Sequence, residues 1–163
     1  MTVIFYISAA VAIISTILVI TRVNAIHALL YLVVSLLSVA VIFYTLGAPF
    51  IAALEVIIYA GAIMVLFVFV MMMLNLGEKA AQQEVEWIKP GMYVGPVILA
   101  LILGAEFVYM LALGLPNAVG SGQVGPKEVG MSLFTEYLLG VELAAMLLLA
   151  GLVGAFHLGR RLR

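Results

Sequence analysis

Residues 50–76 read FIAALEVIIYAGAIMVLFVFVMMMLNL, and Glu55 is the only charged residue among them. A helix rises about 1.5 Å per residue, so about 20 apolar residues cross a hydrocarbon layer of about 30 Å. This stretch exceeds that length, and a helix formed by it must tilt, bend or protrude from the membrane. It predicts an unusually long transmembrane helix, the third span of the chain.

Four further apolar runs accompany it, separated by breaks. Thr21 to Asn24 is a polar interruption, and Gly47-Ala48-Pro49 combines a helix-ending glycine with a proline that favours the start of the next helix. A polar loop, Gly77 to Lys89, and a Gly/Pro-rich stretch, Gly114 to Gly130, separate the later runs. The predicted fold is an all-α membrane protein. It is a single polytopic domain, residues 1–163, with five transmembrane helices at about 3–20, 27–46, 50–76, 90–113 and 133–158.

The composition excludes several classes of protein. Hydrophobic residues make up 67% of the chain and charged residues 9%, and the mean hydropathy is +1.34. No soluble core of this size can bury so much apolar surface, so the chain must face lipid. Without cysteine, it can form no disulfide, thiolate zinc site or ordinary iron–sulfur cluster. A net charge of −1, with basic residues confined to helix ends, leaves no patch for nucleic acid.

The positions of the basic residues predict the topology. Cytoplasmic loops carry an excess of Lys and Arg, which places the arginines of the tail inside. With five crossings, the basic residues on that side are Arg22, Lys79, Lys89, Arg160, Arg161 and Arg163, and Lys127 alone lies outside. The N-terminus is therefore expected in the periplasm and the C-terminus in the cytoplasm.

Three glutamates lie inside the predicted spans: Glu55, Glu106 and Glu142. A charged, unpaired carboxylate in hydrocarbon costs several kcal/mol. No basic partner is expected in the membrane core of this chain, so each acid should stay protonated or meet a partner on another subunit. For Glu142, which is followed by small residues, a functional and a structural role both stay open. Glu106 is expected at a subunit interface or near lipid.

Glu55 and Tyr59 are spaced i,i+4, which places them on one face of a helix. A carboxyl and a phenol on one face can bind and orient water in a proton path. Alternatively, Tyr59 caps a packing contact and Glu55 reaches the membrane interface. The small residues Ala60-Gly61-Ala62 follow, and they let another helix approach closely or tolerate a local defect in their own helix. The pattern favours a functional third span and leaves simple close packing open.

His27 and His157 fall at the cytoplasmic ends of the second and fifth spans. Two histidines at similar depth suggest the hypothesis of a haem bound by both. Interfacial histidines are ordinary, however, and no second pair spans the membrane. The methionine run, residues 71–73, is better interpreted as adaptable packing than as a metal site. We expect no cofactor and no metal in this chain.

The stretch from Ala53 to Leu76 closely resembles the third helix of the J subunits of bacterial proton-pumping NADH:quinone oxidoreductase, respiratory complex I, the counterparts of mitochondrial subunit 6. Residues 24–32, NAIHALLYL, resemble the start of the second helix in that family, and residues 141–151, VELAAMLLLAG, resemble its fifth helix. The resemblance covers nearly the whole chain. Two positions depart from it, since Ala25 stands where relatives often have proline and Glu106 has no inherited role.

The resemblance implies a π-bulge around Tyr59 to Val65 in the third helix, whose conversion to regular α-helix rotates the following segment during turnover. Such bulges concentrate at functional sites. The residues expected to serve the proton path or its gating are Glu55, Tyr59, Gly61, Val65 and Glu142, and none is expected to be catalytic.

The resemblance also implies a place for the chain in a larger assembly. It would lie in the bacterial inner membrane, packed against subunits K, A, H and N, and help to gate a water path between the quinone cavity and the antiporter-like subunits. FMN, iron–sulfur clusters, NADH and quinone would bind to other subunits.

The expected function is therefore that of a non-catalytic, conformationally active subunit of a redox-driven proton translocase. A subunit of a related cation/proton antiporter or membrane-bound hydrogenase complex is the main alternative, in which redox chemistry need not be involved. A self-sufficient small transporter working as a homo-oligomer is a third possibility.

Overall fold

The computed structural model describes residues 2–74, 91, 93–112 and 124–160. Every regular element in these ranges is a helix. In chain order the elements are α1 (Thr2–Thr21), α2 (Ala25–Thr45), α3 (Pro49–Leu54), a π-helix that we call the π segment (Glu55–Ile63), α4 (Met64–Leu74), α5 (Val94–Ala112), α6 (Pro126–Phe134) and α7 (Leu138–Gly159). The predicted polar loop, from residue 77 to 89, and the last three residues of the basic tail lie outside the described residues.

Four helical stretches in the described ranges are long and apolar enough to cross a membrane: Thr2–Thr21, Ala25–Thr45, Pro49–Met71 and Leu138–Gly159. A fifth apolar stretch, Val94–Met110, is shorter. Length and hydropathy therefore identify an all-helical membrane protein.

The chain divides into two compact units, Met1–Gln123 and Val124–Arg163. In the first unit, α1 packs along α2, and α2 also contacts α3, the π segment, α4 and α5. The buried stripe of α1 includes Ser8 and Ser15, both with no exposed surface, and small side chains let two helices approach closely in a membrane. Thr16 Oγ1 and Ser35 Oγ share a hydrogen bond of 2.8 Å across the α1–α2 interface.

The core of this unit lies where α1, α2 and α5 meet. It consists of Val11, Val34 and Leu103, with Leu37 and Leu99 packed against them. Helix α2 is thus the common support of α1, α5 and the third span.

The two turns of the first unit lie at the polar and Gly/Pro breaks of the sequence. Asn24 caps α2, because its Oδ1 accepts hydrogen bonds from the backbone N–H groups of Ile26 at 3.0 Å and His27 at 3.2 Å. Gly47 follows α2 with a φ of 85°, a left-handed conformation that glycine adopts without strain. Pro49 then begins α3, where its missing N–H costs no helix hydrogen bond.

The third span runs without a break through α3, the π segment and α4. Its π-helical part covers Glu55–Ile63, so it begins four residues before the range that the resemblance implied, and Val65 lies in the regular helix α4. Ala52 and Met64, on either side of the π segment, are buried, whereas most of its large side chains are exposed.

In the second unit, the helix predicted from about residue 133 instead begins at Leu138. It is preceded by the separate helix α6, which starts with Pro126 at its first turn. Thr135, with φ −121° and ψ −81°, ends α6, and the Tyr137 N–H donates to the Ser132 carbonyl at 3.1 Å in the turn. An apolar run alone does not reveal this interruption.

Candidate functional site

The π segment carries the acid and the phenol singled out by the sequence. Glu55 is its first residue and is half-buried, and Tyr59 is 47% exposed. Hydrogen bonds in a π-helix run from residue i to i+5, which widens each turn. The wide turn therefore lies where the side chains that could bind water are open to their surroundings.

Gly61 lies close to the backbone of the preceding turn of the π segment. A Cβ placed on Gly61 would lie 3.2 Å from the Val56 carbonyl oxygen, five residues earlier. In a regular α-helix that carbonyl pairs with residue 60 instead, so this close approach belongs to the π form. A side chain at position 61 should therefore disfavour the π form relative to the α form.

Helix α4 continues from the π segment with an apolar, exposed surface. Val65 is 67% exposed, and Leu66 and Phe69 are also largely exposed. Any change in the number of residues per turn before Met64 turns this surface as a whole, because α4 is a regular helix.

Glu106 finds a partner inside its own chain, which the sequence did not predict. The Ser8 hydroxyl donates a hydrogen bond of 2.7 Å to Glu106 Oε2. Ser8 is fully buried, and Glu106 is only 8% exposed. Its other oxygen, Oε1, is buried without a hydrogen-bond donor among the described residues. The expectation that Glu106 lies near lipid or at a subunit interface is therefore wrong within this unit, because α1 covers it.

A signal for this contact was present in the sequence. Ile4, Ser8, Val11 and Ser15 follow one another at helical spacing and form the buried face of α1. Serines on a buried face can hydrogen-bond to a neighbouring helix in a membrane, although nothing local identifies the partner.

A second polar cluster lies where α1 ends and α2 begins. The rings of His27 and Tyr31 stack with centroids 4.9 Å apart, and the Arg22 guanidinium lies 5.8 Å from the centre of the Tyr31 ring. Tyr31 is buried, so these contacts fix its position.

Comparisons with known proteins identify the family of this chain. The family model described as NADH-ubiquinone/plastoquinone oxidoreductase chain 6 matches residues 15–158. The chain belongs to this family. The family resemblance that the sequence indicated is thereby confirmed over nearly the full length of the chain.

Alignments with several relatives extend over almost the whole chain. A protein named NADH-quinone oxidoreductase subunit J from Pseudomonas aeruginosa is 57% identical over 159 residues, 96% of this chain and 95% of that protein. A protein of the same name from Escherichia coli K12 is 52% identical, over 98% of this chain and 86% of that protein. Another, from Buchnera aphidicola of Schizaphis graminum, is 49% identical, over 96% of each.

The predicted site residues lie in both compact units of the chain. Glu55, Tyr59 and Gly61 lie together in the π segment, and Val65 follows as the second residue of α4. Glu142 lies near the start of α7 in the second unit and is exposed. In the described residues, no group of three His, Asp or Glu side chains is close enough to hold a metal ion. The π segment thus places a carboxyl and a phenol on one helix with widened turns.

Proposed function

We propose that this chain is a non-catalytic membrane subunit of a proton-translocating NADH:quinone oxidoreductase, an enzyme of the translocase class, in the bacterial inner membrane. The shared name and near-complete coverage of its relatives support this assignment. FMN, iron–sulfur clusters, NADH and quinone then belong to other subunits, because a chain without cysteine lacks the usual cluster ligands.

The observation that carries the proposed mechanism is the π-helix at Glu55–Ile63. A π-helix and an α-helix of the same residues interconvert by shifting hydrogen bonds by one residue. Each residue taken up in this way turns the following helix by about 100° and moves it by about 1.5 Å, the α-helical values per residue. In our proposal α4 therefore rotates as a rigid rod while α3 stays against α2.

Rotation of α4 exchanges the side chains next to Glu55 and Tyr59. In one form an apolar side chain such as Val65 lies beside them, and in the other it is turned away. Apolar constrictions in membrane proteins close water paths by dewetting. Glu55 and Tyr59 then orient the water while Val65 opens or closes the path, and Gly61 allows both helical forms. Glu142 supplies a further carboxyl on α7.

The exposed apolar surface of the third span is suited to contact with the apolar helices of other membrane subunits. Tyr59, Val65 and Phe69 expose about half or more of their surface, and in a membrane such a surface meets lipid or other helices. Subunits K, A, H and N are the proposed neighbours. The chain forms a single membrane domain in this proposal, with Val94–Met110 as its fourth crossing.

The proposed topology has five crossings, with the N-terminus in the periplasm. It rests on the Lys and Arg residues, most of which then lie on the cytoplasmic side. Since the native chain has no cysteine, a single cysteine placed at residue 163 reports on its own side. We expect a membrane-impermeant thiol reagent to label it only from the cytoplasmic side, and labelling from the periplasm contradicts the topology.

Purification of the tagged chain in mild detergent tests the assignment to the oxidoreductase. We expect it to bring down flavin- and cluster-bearing proteins together with antiporter-like membrane subunits. Recovery of antiporter-like subunits alone, or of this chain alone as a homo-oligomer, overturns the proposal. Mass spectrometry of the purified complex, with the visible spectrum of its flavin and clusters, distinguishes these outcomes.

A further inference from the structure

Helix α5 docks on the α1–α2 pair through one stripe. The stripe consists of Gly95, Leu99, Leu103, Glu106 and Met110, spaced by three or four residues along one helical face. Leu99 and Leu103 pack on the core, and Glu106 and Met110 are buried with them. At the other end, a Cβ on Gly95 would clash with the Tyr31 hydroxyl. One acid thus lies within an otherwise apolar docking face.

An apolar stripe fixes the rotation of a helix poorly inside a membrane. Lipid tails are as apolar as leucine, so the hydrophobic effect favours neither face, and packing and interhelical hydrogen bonds decide. Among the described residues, the Ser8–Glu106 bond is the one side-chain hydrogen bond that joins α5 to the other helices. Since rotation of α5 would leave both the carboxyl and the hydroxyl without this partner, the bond opposes rotation in either direction.

The next face of α5 forms one wall of a groove of about 510 Å³. Ala100, Gly104 and Phe107 lie on this wall, and Ala52, Ala53 and Val56 lie opposite. Val56 belongs to the first turn of the π segment. Because Gly104 and Phe107 flank Glu106 in sequence, any rotation of α5 that breaks the Ser8 bond also moves this wall.

We propose that the Ser8–Glu106 hydrogen bond is a positioning contact, which fixes the rotation of α5 and thereby keeps open the groove beside the π segment. Its role in turnover rests on the function proposed above for the π segment. The groove provides room for Val56 and its neighbours when the π segment changes its helical form. Glu106 takes no part in proton transfer and acts only through the placement of α5.

The test measures the width of the groove in the complete complex. Cysteines replace Ala53 and Ala100, on opposite walls, and they are the only pair in a chain that has no native cysteine. Membranes are treated with copper phenanthroline, and the disulfide is quantified by mass spectrometry of peptides from this chain. In the pair background, Ser8→Ala removes the bond that opposes rotation of α5 in either direction, so position 100 should approach position 53 more often. We expect disulfide formation to become at least about threefold faster, the effect of losing one hydrogen bond of ordinary strength.

Two variants separate positioning from general stability. Glu106→Gln keeps an oxygen that accepts from Ser8, so it should retain the original rate, whereas Glu106→Leu should accelerate the reaction as Ser8→Ala does. Ser35→Ala is the matched control, because it removes a hydroxyl hydrogen bond between α1 and α2 that does not involve α5. It should leave the rate unchanged.

The proposal is overturned if Ser8→Ala and Glu106→Leu crosslink at the same rate as Ser35→Ala. If either variant fails to assemble, Glu106→Asp, which withdraws the carboxyl from Ser8 by one methylene, takes its place with the same expectation. Quinone reduction in the same membranes separates this proposal from the previous one. Faster crosslinking without any loss of turnover supports the positioning of α5 and overturns its role beside the π segment, whereas an unchanged crosslinking rate overturns the positioning itself.

Discussion

Glu55 and Glu106 lie in apolar helices of the same unit, and their surroundings are opposite. Glu55 opens an irregular turn and is followed by exposed side chains up to Tyr59. Glu106 lies in a regular helix, is almost fully buried and accepts a hydrogen bond from Ser8. An acid in a membrane helix is commonly taken as a sign of function. Here the surroundings distinguish an acid that joins two helices from an acid that lies half-buried at the start of an irregular turn.

The contrast extends to the helices around each acid. On one side, α1, α2 and α5 share a small core, buried hydroxyls and a capped helix start. On the other, the third span touches α2 along one edge and exposes most of its apolar side chains. We therefore expect substitutions in the first group to change stability. Those that break the Ser8–Glu106 bond should also lower turnover, through the groove beside the π segment. Substitutions in the third span should change turnover with little loss of stability.

The largest expected effect is on the packed side, from Gly95→Val. Its side chain would meet the buried Tyr31 hydroxyl, and overpacking of this kind costs about 2 kcal/mol. The thermal midpoint of the purified complex and the amount assembled should both fall. Gly104→Ala is the control, since a Cβ there meets no atom within 4 Å. Equal stability of the two variants would contradict the prediction that the packing of α5 against Tyr31 stabilises the complex.

The next effect is on the third span, from Gly61→Leu. The side chain presses on the Val56 carbonyl in the π form, and a bias of about 1.4 kcal/mol changes the ratio of two forms about tenfold. Quinone reduction and proton pumping should fall together by about this factor, while assembly and NADH oxidation with an artificial acceptor are retained. Wild-type pumping by an assembled Gly61→Leu complex would make the third span a static packing element.

A smaller effect is expected from the cap of α2. Asn24→Ala removes the acceptor for two backbone N–H groups, a loss of about 1 kcal/mol. The thermal midpoint should drop slightly, with unchanged turnover per assembled complex, and Asn24→Ser should restore it. A change in turnover without a change in stability would show that the packed helices α1, α2 and α5 affect turnover directly, as the third span does.

The smallest effect is the direct comparison of the two acids. Glu55→Gln keeps a hydrogen-bonding group and should lower pumping only partly, by roughly twofold to threefold, because a gating residue need not carry the transferred proton. Glu106→Gln should leave pumping unchanged. Both are measured as protons moved per NADH in closed vesicles. Complete loss in an assembled Glu55→Gln complex would make Glu55 an obligatory proton carrier, and equal losses in both would abolish the distinction.

Much of the helical pattern follows from the sequence, because a membrane requires long apolar runs and the breaks between them contain Asn24, Gly47 and Pro49. The partner of Glu106 could not be predicted, since Ser8 lies 98 positions away and no local pattern connects them. The position of the π-helix was also beyond periodicity. Where nearly every side chain is apolar, a turn of different width leaves no mark in the hydrophobic pattern, and the family resemblance placed it four residues late.

The turn at residues 22–24 and the hydroxyl contacts of α1 with α2 also bear on how the protein is made. The first two helices share a hydrogen bond between the hydroxyls of Thr16 and Ser35, and a short capped turn joins them. This pair can therefore enter the bilayer as a hairpin soon after it leaves the ribosome. The third span is synthesised next, and it then packs against a helix, α2, that is already in place.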